Sequence, residues 1–203
     1  DDDLDLLEQR SAAVGVPAAI EVVSVTHPGT IETIIGRGFV PSPGTTTALL
    51  YDGDDRPRDI RSTIDVRPVE ANTLAEWQEV SALGWAHSTT SARHAADAFA
   101  RAAQVIDGDG MVIACDTFDG RPLGCASLTI SDRVATLGGM STIPHERGRG
   151  VQSALIGHRL TVARAKGCDT VVSSAATGSA SERNLIRHGF RPLHTKASYT
   201  LNR

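Results

Sequence analysis

The segment His145–Leu160 reads HERGRGVQSALIGHRL. Pro144 stands before it, and the apolar-rich VATLGGMSTI (Val134–Ile143) leads into it. The spacing predicts a helix from Val151 to about Lys166, stopped by Gly167. The first turn of such a helix leaves backbone N–H groups without internal partners, and these groups, with the aligned peptide dipoles, favour an anion. Gly148 and Gly150 carry no Cβ, so a phosphate can come close to the backbone. Arg147 and Arg149 add positive charge, and Ser153 adds a hydroxyl donor. The loop of Arg147, Gly148, Arg149, Gly150, Val151, Gln152 and Ser153 therefore reads as a pyrophosphate cradle. It has neither the G-x-x-x-x-G-K-S/T spacing nor a G-x-G-x-x-G after a strand. Taken alone, RGRG also suits a solvated basic turn.

Outward from this loop the chain divides into two blocks. The charged stretch YDGDDRPRDIRST (Tyr51–Thr63) is turn-rich and reads as a linker at 53–63. Block 1–52 reads as a helix (Asp3 to Val14), a strand (Ala19 to Val25), a short helix (Gly29 to Gly36) and a strand (Thr45 to Tyr51). Block 64–203 begins with an alternating strand, IDVRPV, and two helices, about Leu74 to Ala82 and Ser91 to Val105. Three strands follow, GMVIACDT, RPLGCASLTI and VATLGGMSTI, with turn residues between them that predict an antiparallel meander. After the loop and its helix come the strand CDTVVSSA, the short helix SASERNLIR and the last strand HTKASYTL. The fold class is thus α/β (α+β), a mixed, largely antiparallel central sheet flanked by helices, with an amino-terminal β-α-β extension.

The two blocks echo each other. Each contains a strand, a short helix, a Gly-Phe pair (Gly38-Phe39 and Gly189-Phe190) and another strand. Coincidence between two ordinary units and a partial repeat both account for this. On either account Gly38-Phe39 is expected to turn the chain and seat Phe39 against a sheet.

Composition sets bounds. The 203 residues suit one large domain or a domain with an appendage, and aromatics make up only 4%, so Ala, Val, Leu and Ile must build the core. The net charge of -4 gives no reason to expect nucleic acid or a membrane as partner. Cys115, Cys125 and Cys168 have no metal-like spacing, and no metal site is expected. Their odd number fits a reducing cytoplasm. No apolar run approaches a membrane span, and the acidic DDDLDLLEQR does not read as a signal peptide.

With its strand, loop, helix, strand, short helix and Gly-Phe in this order, Ile64 to Arg203 resembles the GNAT superfamily of N-acetyltransferases. That family's loop signature is R/Q-x-x-G-x-G/A. Arg147 and Gly150 fall on it, and Gln152 stands where Gly or Ala is usual. The resemblance implies acetyl-CoA as cosubstrate. It implies that the backbone of Met140, Ser141 and Thr142 bonds the pantetheine arm and polarises the thioester, with Gly138-Gly139 as the bulge that opens the gap to the next strand. It also places Ser181 and Asn184 beside the cofactor arm, although Ser181 equally suits a helix cap.

The reaction implied is direct attack of a primary amine on the thioester in a ternary complex. The family's usual thiolate donor is a tyrosine four residues before the Gly of Gly-Phe. Leu185 stands there and cannot donate. Tyr199 and His145 are the alternative donors. His87, with His94, borders the acceptor side and is the candidate base. Glu146 reads as a salt-bridge residue. The acceptor class is a small-molecule amine or a peptide amino group, and a homodimer through the amino-terminal block is open. The alternative, motivated by Leu185, is a catalytically weak acyl-CoA-binding or regulatory protein.

Overall fold

The structure, a computed structural model, describes residues 2–53, 63–85 and 110–201. The helix expected over Ser91–Val105, His87, His94 and most of the expected linker lie outside the described residues. The elements are α1 (Asp2–Ala13), β1 (Ala18–Val23), α2 (Pro28–Gly36), β2 (Val40–Pro41), β3 (Thr46–Tyr51), β4 (Ile64–Pro68), α3 (Leu74–Trp85), β5 (Met111–Asp116), β6 (Pro122–Ser131), β7 (Val134–Thr142), α4 (Val151–Ala165), β8 (Thr170–Ala176), α5 (Ala180–Arg187) and β9 (Phe190–Leu201). The fold is mixed α/β with a largely antiparallel sheet, as the sequence predicts. The strand pair β7–β8 is parallel. Among the described residues no helix is long and apolar enough to cross a membrane.

Two compact units divide the chain. One is Asp1–Leu49 with Ser174–Glu182 and Pro192–Arg203. The other is Leu50–Ser173 with Arg183–Arg191. Strands β3, β8 and β9 and helix α5 thus each give residues to both.

In the first unit β9 lies between β1 and β3, and β3 lies between β9 and β8. The β1 register runs from Ala18↔Leu201 to Val23↔Lys196, antiparallel. The core is Ala18, Val22, Ile34, Phe39 and Leu201, with Tyr199 packed against it. Pro28 opens α2 with its fixed φ, and the His27 ring accepts the Gly29 N–H at 3.1 Å. At the other end of α2, Arg37 bonds Glu8 of α1 at 2.9 Å and also Asp5. Strand β9 begins at Phe190, four residues earlier than the sequence suggests. The pairing of β9 with β1 and β2 runs over Lys196–Leu201, and its other neighbour in the sheet is β3.

In the second unit the order is β8-β7-β6-β5-β4. Two hydrophobic clusters pack the sheet. One gathers Trp77 and Val80 of α3 with Met111, Ile113, Cys115 and Cys125. The other gathers Val151, Ala154 and Leu155 of α4 with Val112, Ala114, Leu123 and Ala126. The period-2 alternation of β5 thus feeds both, Ile113 and Cys115 on the α3 side, Val112 and Ala114 on the α4 side.

Candidate active site

Strand β7 carries a bulge. Its register with β6 runs Gly124↔Thr142 and Cys125↔Ser141, then resumes at Ser127↔Gly138. Ala126 alone therefore opposes Gly139 and Met140, one extra residue on β7. Gly139 has φ +55°, the left-handed conformation of the first residue in a glycine bulge. The parallel register with β8 stops at Leu137↔Ser173, where the Ser173 hydroxyl donates to the Leu137 carbonyl at 2.9 Å. Beyond that point β7 pairs with β6, through Gly138, Ser141 and Thr142.

The bulge is braced from both helices. Trp77 of α3 donates its indole N–H to the Ala126 carbonyl at 3.2 Å. From α4, Arg159 donates Nη1 to the carbonyls of Ser127 at 2.9 Å and Gly138 at 3.1 Å, and Nε to Leu155 at 3.0 Å. Its Nη2 lies 3.3 Å from the Met140 sulfur. Arg159 is 1% exposed. Burial pulls its guanidinium down to about 9, still above neutrality, so it sits in the core charged.

Ser141 faces the α3 side. Its hydroxyl lies 3.4 Å from the Cys125 sulfur and 3.5 Å from the Val80 carbonyl. A Cβ on Gly84 would stand 2.5 Å from that hydroxyl, so glycine lets α3 close onto β7. Burial pushes the Cys125 thiol up to about 11, which makes it an inert core residue. The Thr142 hydroxyl is buried without a partner among the described residues.

The loop between β7 and α4 begins with a 3₁₀ turn, Pro144–Glu146. Glu146 is buried at 4% exposure and is bonded by Arg121 and by Arg149, the latter at 2.5 Å. Arg149 also bonds Asp116 at 2.5 Å. These hydrogen bonds, Arg121 first, hold the Glu146 carboxyl below its usual range. Arg147 donates to the Gly84 carbonyl at 3.3 Å. Gly148 and Gly150 have φ of +84° and +87°, and an ideal Cβ on either would meet nothing within 4 Å. Gly150 caps α4 with no side chain to offer. The first internal bond of the helix is Ala154 N–H to the Gly150 carbonyl at 3.0 Å, leaving the amides of Val151, Gln152 and Ser153 ahead of it at the open mouth.

Helix α5 meets α4 at this end. Asn184 donates its side-chain amide to Gln152 and accepts from Arg187, and the His188 ring lies 2.9 Å from the Ser153 hydroxyl. Ser181 is the second residue of α5. The cap is Ser179, whose hydroxyl accepts the Glu182 N–H at 3.1 Å, while Glu182 accepts the Gly178 N–H at 2.5 Å. The expectation that Ser181 caps the helix is thus corrected by two residues.

The remaining expected site residues fall as follows. His145 is exposed on the loop, 3.2 Å from Glu146. Tyr199 sits half-buried on β9, opposite Ile20 of β1 and Pro41 of β2. Met140, Ser141, Thr142 and Arg147 through Ser153 all belong to the second unit. The sequence reading did not single out Arg159. Its signal is positional: it continues the buried stripe Val151, Ala154, Leu155, Ala163 of α4, where a charge is out of pattern.

The sequence profile of the acetyltransferase (GNAT) family matches residues 73–190. Similar folds include the GCN5-related N-acetyltransferase from Sphaerobacter thermophilus, at 17% identity and TM-score 0.72, covering 98% of this chain and 64% of that one. The present chain thus spans less than two thirds of that relative's length. The GCN5-related N-acetyltransferase from Kribbella flavida aligns at 18% identity and TM-score 0.68, over 97% of this chain and 73% of that one. A tandem GNAT protein from the clavulanic acid biosynthesis pathway aligns at 16% and 0.69, over 96% and 66%. At such identities the likeness is one of fold. No protein of curated function matches the sequence.

Proposed function

The chain belongs to the acetyltransferase (GNAT) family, and from that premise we propose that it moves an acetyl group from acetyl-CoA to a primary amine by direct attack in a ternary complex. The observation that carries this reading is the mouth of α4. Three amides stand ahead of the first internal bond of the helix, behind two glycines whose missing Cβ atoms would meet nothing. This arrangement suits a pyrophosphate. Arg149 already shares its charge with Glu146 and Asp116. In this reading it shapes the loop, while the amides of Val151, Gln152 and Ser153 and the side chain of Arg147 meet the phosphates. Asn184 flanks the cofactor arm.

The pantetheine arm runs along Met140, Ser141 and Thr142. The amine nitrogen attacks the thioester carbon, and charge gathers on the carbonyl oxygen, which a backbone N–H of the β7 bulge stabilises. The carbon–sulfur bond then breaks. The amine proton passes to a base, for which His87 is the candidate, and the thiolate takes a proton from a side chain such as His145 or from solvent. The acceptor is a small-molecule amine or a peptide amino group. The free cysteines support a reducing, cytoplasmic setting.

The test has two arms. Calorimetry should show CoA binding, and release of CoA thiol from acetyl-CoA should accelerate with one or more members of an amine library. Absence of CoA binding would remove the reading. CoA binding with no acceleration by any amine would favour the second reading, an acyl-CoA-binding or regulatory protein, for which Leu185 in the usual tyrosine position is the motive.

A further inference from the structure

A bulge breaks the hydrogen-bond ladder and leaves carbonyls that must find donors elsewhere. In the β6–β7 pair the carbonyls of Ala126, Ser127 and Gly138 flank the bulge, and each accepts a hydrogen bond from a side chain. Two of the three depend on one atom, Nη1 of Arg159. Among the described residues no carboxylate pairs with this guanidinium. A buried, unpaired cation is expensive, and an apolar residue of similar volume fills a core more cheaply. The neighbours of Arg159 along the α4 stripe, Leu155 and Ala163, are apolar. The cation therefore serves the carbonyls, not the packing.

The Gly138 carbonyl shares a peptide plane with the Gly139 N–H. Among the described residues no peptide bond is cis, so the two dipoles point in opposite directions. Holding the carbonyl toward the guanidinium turns the Gly139 N–H away from it. Glycine at φ +55° has no Cβ to resist rotation of this peptide, so the plane needs an outside hold. Arg159 is itself fixed in two further directions, by the Leu155 carbonyl and the Met140 sulfur.

We infer that Arg159 is a positioning residue for acyl transfer: by gripping the Ser127 and Gly138 carbonyls it sets the β7 bulge so that a bulge amide is aimed at the thioester oxygen. This rests on the reading of β7 as the acyl-CoA strand. It assigns to the core of α4 a function in the reaction, distinct from the phosphate-facing function of the same helix's first turn.

The experiment uses CoA and acetyl-CoA as probes, with ¹³C at the thioester carbonyl for infrared difference spectra. In the unmodified protein, bound acetyl-CoA should show its carbonyl stretch shifted to lower frequency. Arg159→Met should keep CoA affinity within about three-fold, lose that shift, and lower kcat about 10–100-fold with little change in the KM for acetyl-CoA. Arg159→Lys should restore part of the shift. If the Met variant does not fold, the side-chain ¹⁵Nε resonance of Arg159 in the unmodified protein decides: it should move with acetyl-CoA and much less with CoA. A folded Met variant with the full carbonyl shift, or a resonance indifferent to the acetyl group, overturns the inference while CoA binding keeps the site reading intact. Failure of the unmodified protein to bind CoA removes the site reading, and this inference falls with it.

Discussion

Asn184 of α5 donates its side-chain amide to the side-chain oxygen of Gln152 in the first turn of α4. Gln152 is the one residue of the loop that departs from the family's Gly or Ala, and its partner shows where the extra atoms go. They turn toward α5 and leave the backbone amide at the helix mouth. Gln152→Ala should therefore change CoA affinity by less than about three-fold. It should lower stability by about 1 kcal/mol, the usual net worth of one hydrogen bond, or about 2–4 °C in Tm for a chain of this size. Calorimetry and thermal melting check both. A ten-fold gain in affinity would mean that the side chain obstructs the phosphates.

Gly150 stands at φ +87° with open space where a Cβ would be. Gly150→Ala thus meets no protein atom, and its structural cost is conformational, about 1–2 kcal/mol. Any larger effect must come from the ligand. CoA affinity should fall at least ten-fold, well beyond what the loss of stability explains. Calorimetry of CoA against a folded Ala variant measures this, and an unchanged Kd would place the phosphates elsewhere.

Glu146 and Asp116 clamp Arg149 and so fix the loop. Both carboxyls are held below their ordinary range, Glu146 first by Arg121 and then Arg149, Asp116 first by the Phe118 N–H and then Arg149. A carboxyl more acidic folded than unfolded adds stability above its unfolded pKa, about 4 for these groups, and that stability is lost as pH falls through the folded value. The unmodified protein should accordingly lose Tm as pH drops below about 4. Glu146→Gln should lower Tm at neutral pH and flatten this acid limb. Melting curves from about pH 7 to about pH 3 test it, and parallel curves for the two proteins would show that Glu146 contributes nothing to acid sensitivity.

Much of this arrangement was legible in the sequence, for physical reasons that differ by element. The α4 boundaries follow from Gly150 and Gly167, both at positive φ, and glycine is the residue that takes that conformation without strain. The sequence places the bulge at Gly138-Gly139, and the register puts it one residue further on, at Gly139-Met140, with Gly138 still paired to Ser127. The echo of the two blocks is geometric as well: Gly38 and Gly189 both have φ +92°, and Phe39 and Phe190 are 1% and 3% exposed. What local pattern did not show is pairing at long range. The partners of β9 lie in β1 and β2, far away in the chain, and the brace of Arg159 depends on carbonyls more than twenty residues away in β6 and β7.

Leu185 illustrates the same limit. Counting back from Gly189 places it where the family's tyrosine stands, which suggests a gap in the catalytic set. In the structure it is 1% exposed, a packed core side chain. Leu185→Tyr should then overpack the core, cost about 1–3 kcal/mol and raise no turnover. Tyr199→Phe and His145→Ala test the two other donors. If both of these variants retain full turnover across the pH range, neither residue is the required acid. A faster Leu185→Tyr enzyme would show that the position opens to the cofactor after all.

The amino-terminal block supplies β1, which pairs with β9, and β3, which lies between β9 and β8. Deleting residues 1–52 would strip β9 of these neighbours and expose the apolar cluster around Ile34 and Leu201. The truncated chain should aggregate or melt much earlier, since a strand without partners exposes both its ladder and its side chains. A milder test is Phe39→Ala. Phe39 is 1% exposed, and its loss should cost about 3–5 kcal/mol, roughly 10 °C in Tm. Yet this block has no counterpart of the RGRG loop. Titration of the intact protein should accordingly saturate at one CoA per chain. A stoichiometry of two would turn the echo into a functional repeat, and an unchanged Tm in Phe39→Ala would show that the first unit does not limit the stability of the chain.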